Sequence, residues 1–358
     1  MDTKTTSAQV RNRKQLEDLM AQLPATGVSA SFYGDNNWPL IACATADSLR
    51  TDTGAAAAWF SRHKALVDQM VLLGGAIMLR DFAIPRVEDF DAFLAPCTTA
   101  DFDYSGGATN RGAAQGRVFE ATAAPADFRL RLHQEMAYLP HYPNFLCFYC
   151  HVAPPEGGET IIGDMRDFLP RVDPVFLARI RDKGVFYIRN FRDPARSTGS
   201  PLLDSVHRTW QEAFYTDSKA HVEAECARMG LGCEWLANGS VSVTYRARGF
   251  IDHPQTGQEI WFNQIATQSV TLENFGPARY PLMRDFYSDD YPPPFDTRYG
   301  DRSKIDLEDV NGLYPIYDDM VVAIPYRQGD VLLIDNYQTA HGRNPYSGTR
   351  DVRVMLLK

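Results

Sequence analysis

Short apolar runs stopped by glycine and proline recur along this chain. A chain broken so often buries its hydrophobic residues by pairing many short strands. The clearest run is Asn144 to Val152, rich in aromatic residues and halted by the turn-forming Pro154-Pro155-Glu156-Gly157-Gly158. Thr160–Asp164, Gly184–Asn190, Ser240–Arg246 and Glu259–Gln264 predict further strands, and Gly329–Asn336 with Val352–Leu357 predicts a strand, loop, strand ending. Leu73 to Phe82 reads as a turn leading into a buried strand. Helices are predicted at Ala55–Leu72, Val87–Leu94, His221–Met229 and Asp167–Lys183, the last broken by Pro170 and Pro174. Proline-heavy stretches at Pro292–Pro294 and Pro325 bracket a final helical region, and residues 191–215 predict irregular cover. Residues 101–127, rich in Gly, Ala, Asp and Thr, predict a long loop close to the site. The expected fold is mainly β with flanking helices (α+β), built on a β-barrel or jelly roll.

With 358 residues, 44% of them hydrophobic, the chain can fill one sizeable core. It shows no internal repeat and no linker, so the expected organisation is a polar N-terminal arm over 1–25, with a short helix at Arg13–Leu23, and a single domain over 26–358. The formal charge of -9 has the wrong sign for neutralising phosphates, which excludes a nucleic-acid partner. No apolar stretch approaches the roughly 20 residues that span a bilayer, and Met1–Ser7 lacks the apolar centre of a signal peptide. A soluble, cytoplasmic protein without a membrane partner is expected. Cys147 and Cys150 stand in a strand-like run where side chains alternate faces, so they should diverge and form neither a zinc nor a redox pair.

The chemistry gathers around Leu132-His133-Gln134-Glu135-Met136. In extended backbone His133 and Glu135 share a face while Gln134 points away. A second histidine, His341, follows in Asp335-Asn336-Tyr337-Gln338-Thr339-Ala340-His341. Two imidazoles and one carboxylate with open positions opposite form the ligand set of non-haem Fe(II) oxygenases. Such a metal needs an electron-donating cosubstrate, and the distal carboxylate of 2-oxoglutarate needs a cation and a hydroxyl. Thr160 and either Arg350 or Arg353 supply them, a guanidinium fork suiting a carboxylate by shape and charge. On a regular strand the two arginines fall on opposite faces, so one of them points inward.

The words around these residues, Leu132–Tyr138, Pro154–Thr160, Trp261–Gln264 and His341–Arg350, resemble the Fe(II)/2-oxoglutarate dioxygenases of the taurine dioxygenase and clavaminate synthase type. The branch they look most like occurs in biosynthetic clusters for non-ribosomal peptides and modified amino acids, near a syringomycin-cluster aspartyl hydroxylase. The resemblance runs from about Gly74 to Leu357 and implies a double-stranded β-helix (jelly-roll, cupin-like) core. It implies that His133, Glu135 and His341 hold Fe(II), that Thr160 and Arg350 contact 2-oxoglutarate, with Arg353 the alternative, and that O2 is consumed. Halogenases of this fold lack the carboxylate ligand, so Glu135 argues for hydroxylation of an unactivated C–H bond, with desaturation, cyclisation or epimerisation as outcomes of the same site. The implied substrate is an amino acid or a derivative, free or tethered to a carrier protein, and a homodimer is compatible. A non-catalytic binding protein on the same scaffold is the rival from another class, against which the intact ligand set stands.

Substrate contacts rest on the residues alone. Arg131 shares the face of His133 and could meet a substrate carboxylate or an acidic neighbour. Asn263 and Gln264 follow two aromatics and could reach a polar substrate or be satisfied structural amides. Tyr138 and Trp261 suit the core or the pocket wall, and Arg343 the ordering of its own loop. His63, His141, His151, His207, His221 and His253 have no partner at ligand spacing.

Overall fold

The computed structural model describes residues 7–34, 38–100, 116–122 and 124–358. Its centre is a seven-stranded sheet in the order Val28–Phe32, Leu40–Ala44, Ala76–Arg80, Val331–Asp335, Phe145–Val152, Asp351–Leu357 and Phe119–Glu120. The period-2 alternation of a strand sends its apolar residues to two different cores, which is why these segments read as unbroken hydrophobic runs. Along Phe145–Val152, Leu146, Phe148 and Cys150 enter one cluster, whereas Cys147 and Tyr149 enter the other. Cys147 and Cys150 thus face opposite sides of the sheet.

One face is covered by the helix Thr53–Gly74, which buries Trp59, Phe60, Val67, Met70 and Val71. Asp52 starts it by accepting from the backbone of Gly54 and Ala55, and Gly75, at φ +78°, ends it. Burying each such large side chain stabilises by roughly 1.5–3 kcal/mol. This helix lies in the crossover between Leu40–Ala44 and Ala76–Arg80, which therefore pair in parallel.

The other face meets a four-stranded antiparallel sheet ordered Val322–Ala323, Thr160–Asp164, Thr339–Arg343 and Leu130–His133. Leu132, Ile161, Ile162 and Ala340 from this sheet join Phe148, Leu332 and Val354 of the larger one in a shared core. Arg166 ties the layers together: it pairs with Asp164 at 2.6 Å and donates to the carbonyls of Leu73 and Gly74 at the end of the long helix. A second four-stranded sheet, Gly232–Trp235, Val241–Ala247, Val185–Phe191 and Phe295–Tyr299, extends the body to one side.

The N-terminal segment expected as a polar arm instead docks through the helix Ser7–Met20, with Leu16 and Leu23 buried and Leu19 and Met20 packed against the same cluster. Leu16, Leu19, Met20 and Leu23 have the i, i+3, i+4, i+7 spacing of an apolar helix face, which the surrounding charge concealed. The hairpin formed by Val28–Phe32 and Leu40–Ala44 was not anticipated. Nor was the helix Leu272–Phe286, whose Pro277 and Pro281 argue against one; it kinks at Gly276 (φ +72°, ψ 170°), so that Pro277 opens the second half, where no N–H is needed. The predicted cover at 191–215 holds two short helices, Pro201–Asp204 and Trp210–Phe214, the second fastened by reciprocal bonds between Thr209 and Glu212. The break predicted at Pro170 and Pro174 separates two 3-10 turns from the helix Pro174–Lys183. Of the predicted 101–127 loop, residues 101–115 and 123 lie outside the described residues, as does the Met1–Thr6 stretch. Among the described residues, no helix is long and apolar enough to cross a membrane.

Candidate metal centre

His133 closes the Leu130–His133 strand and lies directly opposite His341 of Thr339–Arg343. Facing residues of an antiparallel pair project to one side, and the two imidazole centroids are 4.4 Å apart. Gly342 permits this approach, since a Cβ there would lie 2.3 Å from the Leu130 carbonyl oxygen. Glu135 joins them differently from the shared strand face its spacing suggested. The strand ends at His133, Glu135 begins a turn, and Met136 takes φ +59°. Asn336 holds this turn, accepting from the Glu135 backbone N–H at 2.7 Å and donating to the carbonyls of Glu135 at 3.1 Å and Pro143 at 2.8 Å.

The result is a compact donor set. Glu135 Oε2 is 3.3 Å from His341 Nε2, and the ligand-capable atoms of His133, Glu135 and His341 all lie within 4.8 Å of one another. Glu135 and His341 are buried. His133 Nδ1 lies 2.8 Å from the Arg131 carbonyl, which only accepts, so Nδ1 carries the proton and Nε2 offers its lone pair. Among the described residues His341 Nδ1 is buried without a hydrogen bond, a deficit of order 1–3 kcal/mol. Two imidazoles and a carboxylate converging in a shielded site fit a divalent first-row metal.

Because Asn336 engages both backbone polar groups of Glu135, Asn336→Ala is expected to weaken Fe(II) or Mn(II) binding about 10- to 100-fold. Metal titration by calorimetry, on protein whose circular dichroism is unchanged, checks this, and undiminished affinity would show that the turn holds itself.

A cavity of 80 Å³ adjoins the donor set, and Thr160, Arg350, Phe148 and Tyr138 line it with the three candidate ligands. Thr160 Oγ1 accepts from the Tyr326 hydroxyl at 2.8 Å, which leaves the threonine's own proton to donate. Arg350 spends Nε on the Gly158 carbonyl at 2.7 Å, and neither Nη has a hydrogen-bond partner among the described residues. Burial pulls its pKa below the usual arginine range, the mark of a guanidinium lacking a compensating anion. Arg353 does not enter this cavity. It forms a two-pronged pair with Asp351 at 2.6 and 2.9 Å and lies 3.8 Å from Glu120. Arg350 precedes the Asp351–Leu357 strand, whose pairing is irregular between Asp351 and Val352, so its bond to Gly158 and not a regular alternation accompanies its place in the cavity wall.

The other predicted contacts divide. Arg131 is committed to Asp318 at 3.1 Å and to the Glu273 carbonyl at 2.8 Å, the bland outcome its sequence also allowed. Asn263 is a structural amide, donating to Gly249 and accepting from the Ile265 backbone. Gln264 donates to the Gln134 carbonyl yet lines both the 80 Å³ cavity and a neighbouring one of 410 Å³. Arg343 donates to the carbonyls of Ala124, Pro125 and Phe128, ordering the segment before Leu130. Trp261 is fully buried, donating to the Tyr317 hydroxyl.

The 410 Å³ cavity shares Leu130, His133 and Gln264 with the smaller one, and within the size range of small-molecule sites it is the open ground beside the donor set. Arg279 and Arg208, which line it, and Asn336 and Tyr326 were missed in the sequence. Asn336 stands in the word that leads to His341, but nothing in that word shows that it reaches back to Glu135.

Residues 45–356 match the family described as taurine catabolism dioxygenase TauD, TfdA. The chain is 31% identical to the dapdiamide synthesis protein DdaC of Enterobacter agglomerans, over 89% of this chain and 93% of that protein. It is 28% identical to a clavaminate synthase-like protein of Arabidopsis thaliana, over 83% and 85% of the two. Among solved structures, PvcB of Pseudomonas aeruginosa aligns over 92% of this chain and 90% of its own, with 14% identity and a TM-score of 0.49.

Proposed function

Because the chain belongs to the TauD, TfdA dioxygenase family, we propose that it hydroxylates an unactivated C–H bond of an amino acid or amino-acid derivative, using Fe(II), 2-oxoglutarate and O2. The observation that carries this reading is the convergence of His133, Glu135 and His341 on a cavity that also presents Thr160 and Arg350. His133 and His341 would hold the metal through imidazole nitrogens and Glu135 through its carboxylate. Fe(II), when bound, would activate O2 with two electrons drawn from 2-oxoglutarate and two from the substrate C–H bond, one oxygen atom of O2 entering the product and the other leaving in succinate with release of CO2.

The chain's own residues position and shield. Arg131 fixes the His133 tautomer through its backbone carbonyl, and Asn336 fixes the Glu135 turn. Arg350 and Thr160 meet the distal carboxylate of 2-oxoglutarate as a fork and a single donor. Phe148, 5.1 Å from the His341 ring, closes the metal site on the core side and keeps water from that flank. A carboxylate at position 135 occupies the place a halide would need, which favours hydroxylation over halogen transfer. The two facing sheets support a double-stranded β-helix core, with 26–358 as one domain. A relative whose name places it in dapdiamide synthesis supports a substrate from specialised metabolism.

Incubation with Fe(II), 2-oxoglutarate, O2 and a panel of amino acids tests the proposal. The expected result is substrate-dependent succinate formation together with a product heavier by one oxygen atom. A product lighter by a pair of hydrogens would replace hydroxylation by desaturation or ring closure, and succinate independent of every added amino acid would refute the substrate class.

A further inference from the structure

Arginines line the 410 Å³ cavity among apolar side chains. An occupant that reaches His133 at one side meets Phe128, Leu130, Phe275 and Phe295 along an apolar wall. Three arginines also line it, with the acids Asp204 and Glu212. The charges are unequal in availability. Asp204 accepts from the Thr198 backbone at 3.0 Å and from Ser197 at 2.9 Å, and Glu212 accepts from the Thr209 backbone at 2.8 Å, so both acids serve their own loops. Arg131 is held by Asp318 outside the cavity.

Arg279 is placed otherwise. Its side chain is only 11% exposed, stacked over Phe128, and its one ionic contact among the described residues runs from Nη2 to Asp127, a carboxylate that is itself 74% exposed. Ion pairs with so exposed a partner contribute about 0–1 kcal/mol. Nε and Nη1 of Arg279 have no hydrogen-bond partner among the described residues. Arg208, buried in the wall of the same cavity, donates to the Glu212 carbonyl and is also bonded to Tyr215, while burial draws its pKa down. A desolvated guanidinium gains most from an anion delivered into its own low-dielectric surroundings.

We propose that Arg279 and Arg208 recognise a free carboxylate on the substrate, so that the enzyme acts on a free carboxylic acid and not on the same compound joined to a carrier through its carboxyl group. A carrier thioester has exchanged that carboxylate for a neutral group, and Arg279, whose Nε and Nη1 are open among the described residues, would then face a group that cannot compensate it. The inference rests on the dioxygenase reading, and it assigns to Arg279 and Arg208 the role that Arg131, committed elsewhere, does not fill.

The probes are the free amino acids and common dicarboxylic acids, each beside its primary amide, added to protein loaded with Fe(II) and 2-oxoglutarate. At least one free acid is expected to start succinate formation, with its amide poorer by about tenfold or more in kcat/KM. Arg279→Gln should raise KM for that acid about 10- to 100-fold and erase its advantage over the amide, with Arg279→Lys restoring part of it. Arg208→Gln should act in the same direction. Throughout, the visible absorption of the anaerobic Fe(II) and 2-oxoglutarate complex should persist, which separates substrate recognition from damage to the metal centre. Amides as good as acids, a panel in which no free acid is used, or acid preference surviving both glutamine variants overturns the proposal. Loss of the visible band from the unaltered protein would remove the dioxygenase reading and this inference together.

Discussion

Glu135→Ala is expected to abolish the visible charge-transfer absorption that Fe(II) and 2-oxoglutarate should produce with the intact protein in the absence of O2. The substitution removes the one anionic donor among groups whose atoms lie within 4.8 Å of each other, leaving two imidazoles on facing strands. No described carboxylate besides Glu135 lines the 80 Å³ cavity, so nothing nearby replaces it. The effect on stability runs the other way. In the metal-free protein Glu135 is a buried carboxylate beside His341, and a buried ionic group repays its desolvation poorly. Metal-free Glu135→Ala should therefore melt no lower than the unaltered protein. Fe(II) or Mn(II) at a hundred times its dissociation constant adds about 2.7 kcal/mol to the unaltered protein, an upward shift in melting temperature that the variant should lack. His341→Ala should lose the same absorption and the same shift. An unchanged band in Glu135→Ala would mean that the metal is held by other residues.

The parts of this site that were readable in the sequence are those whose physics is local. His133 and Glu135 declare themselves by spacing, and Thr160 and Arg350 by following turn words rich in glycine. Alternation on a regular strand would leave one of Arg350 and Arg353 inward; the strand in fact begins at Asp351, and the contacts of the two arginines with Gly158 and Asp351 favour Arg350. What could not be read depends on contacts between distant segments. Asn336 meets Glu135 across 201 residues of sequence, and Arg279 meets Asp127 across 152. The helix carrying Arg279 was hidden for a local reason, since Gly276 and two prolines oppose a continuous helix and are accommodated by a kink. Arg131 shows the converse: it lines the same cavity as His133, but of its two open readings the structure shows the ion pair, with Asp318, 187 residues away, holding its charge. The sheet core was legible because doubly buried strands must be apolar throughout, whereas the Ser7–Met20 helix presents only a narrow apolar stripe within a charged stretch.

Arg350→Ala should weaken 2-oxoglutarate binding by a large factor while Arg353→Ala leaves it unchanged. Arg350 has already fixed its Nε to the Gly158 carbonyl, so its two Nη groups reach the cavity with their direction set and little further entropy to lose on binding. The approach of the Gly158 backbone is close, for a Cβ there would lie 3.1 Å from Arg350 Cδ and 2.7 Å from Pro154. Removing one partner of a shielded, hydrogen-bonded charge pair costs about 2–5 kcal/mol, or roughly 30-fold to a few thousand-fold in affinity. Arg350→Lys keeps the charge and loses the fork, so it should recover only part of this. Arg353, partly exposed and paired with Asp351 and Glu120 outside the cavity, contributes at most about 1 kcal/mol to stability and nothing to the cosubstrate. Titration of the Fe(II)-loaded protein with 2-oxoglutarate without O2, followed by visible absorption, gives both dissociation constants. Equal weakening in the two variants would show that the cosubstrate reads the whole C-terminal strand, and weakening confined to Arg353→Ala would reverse the assignment.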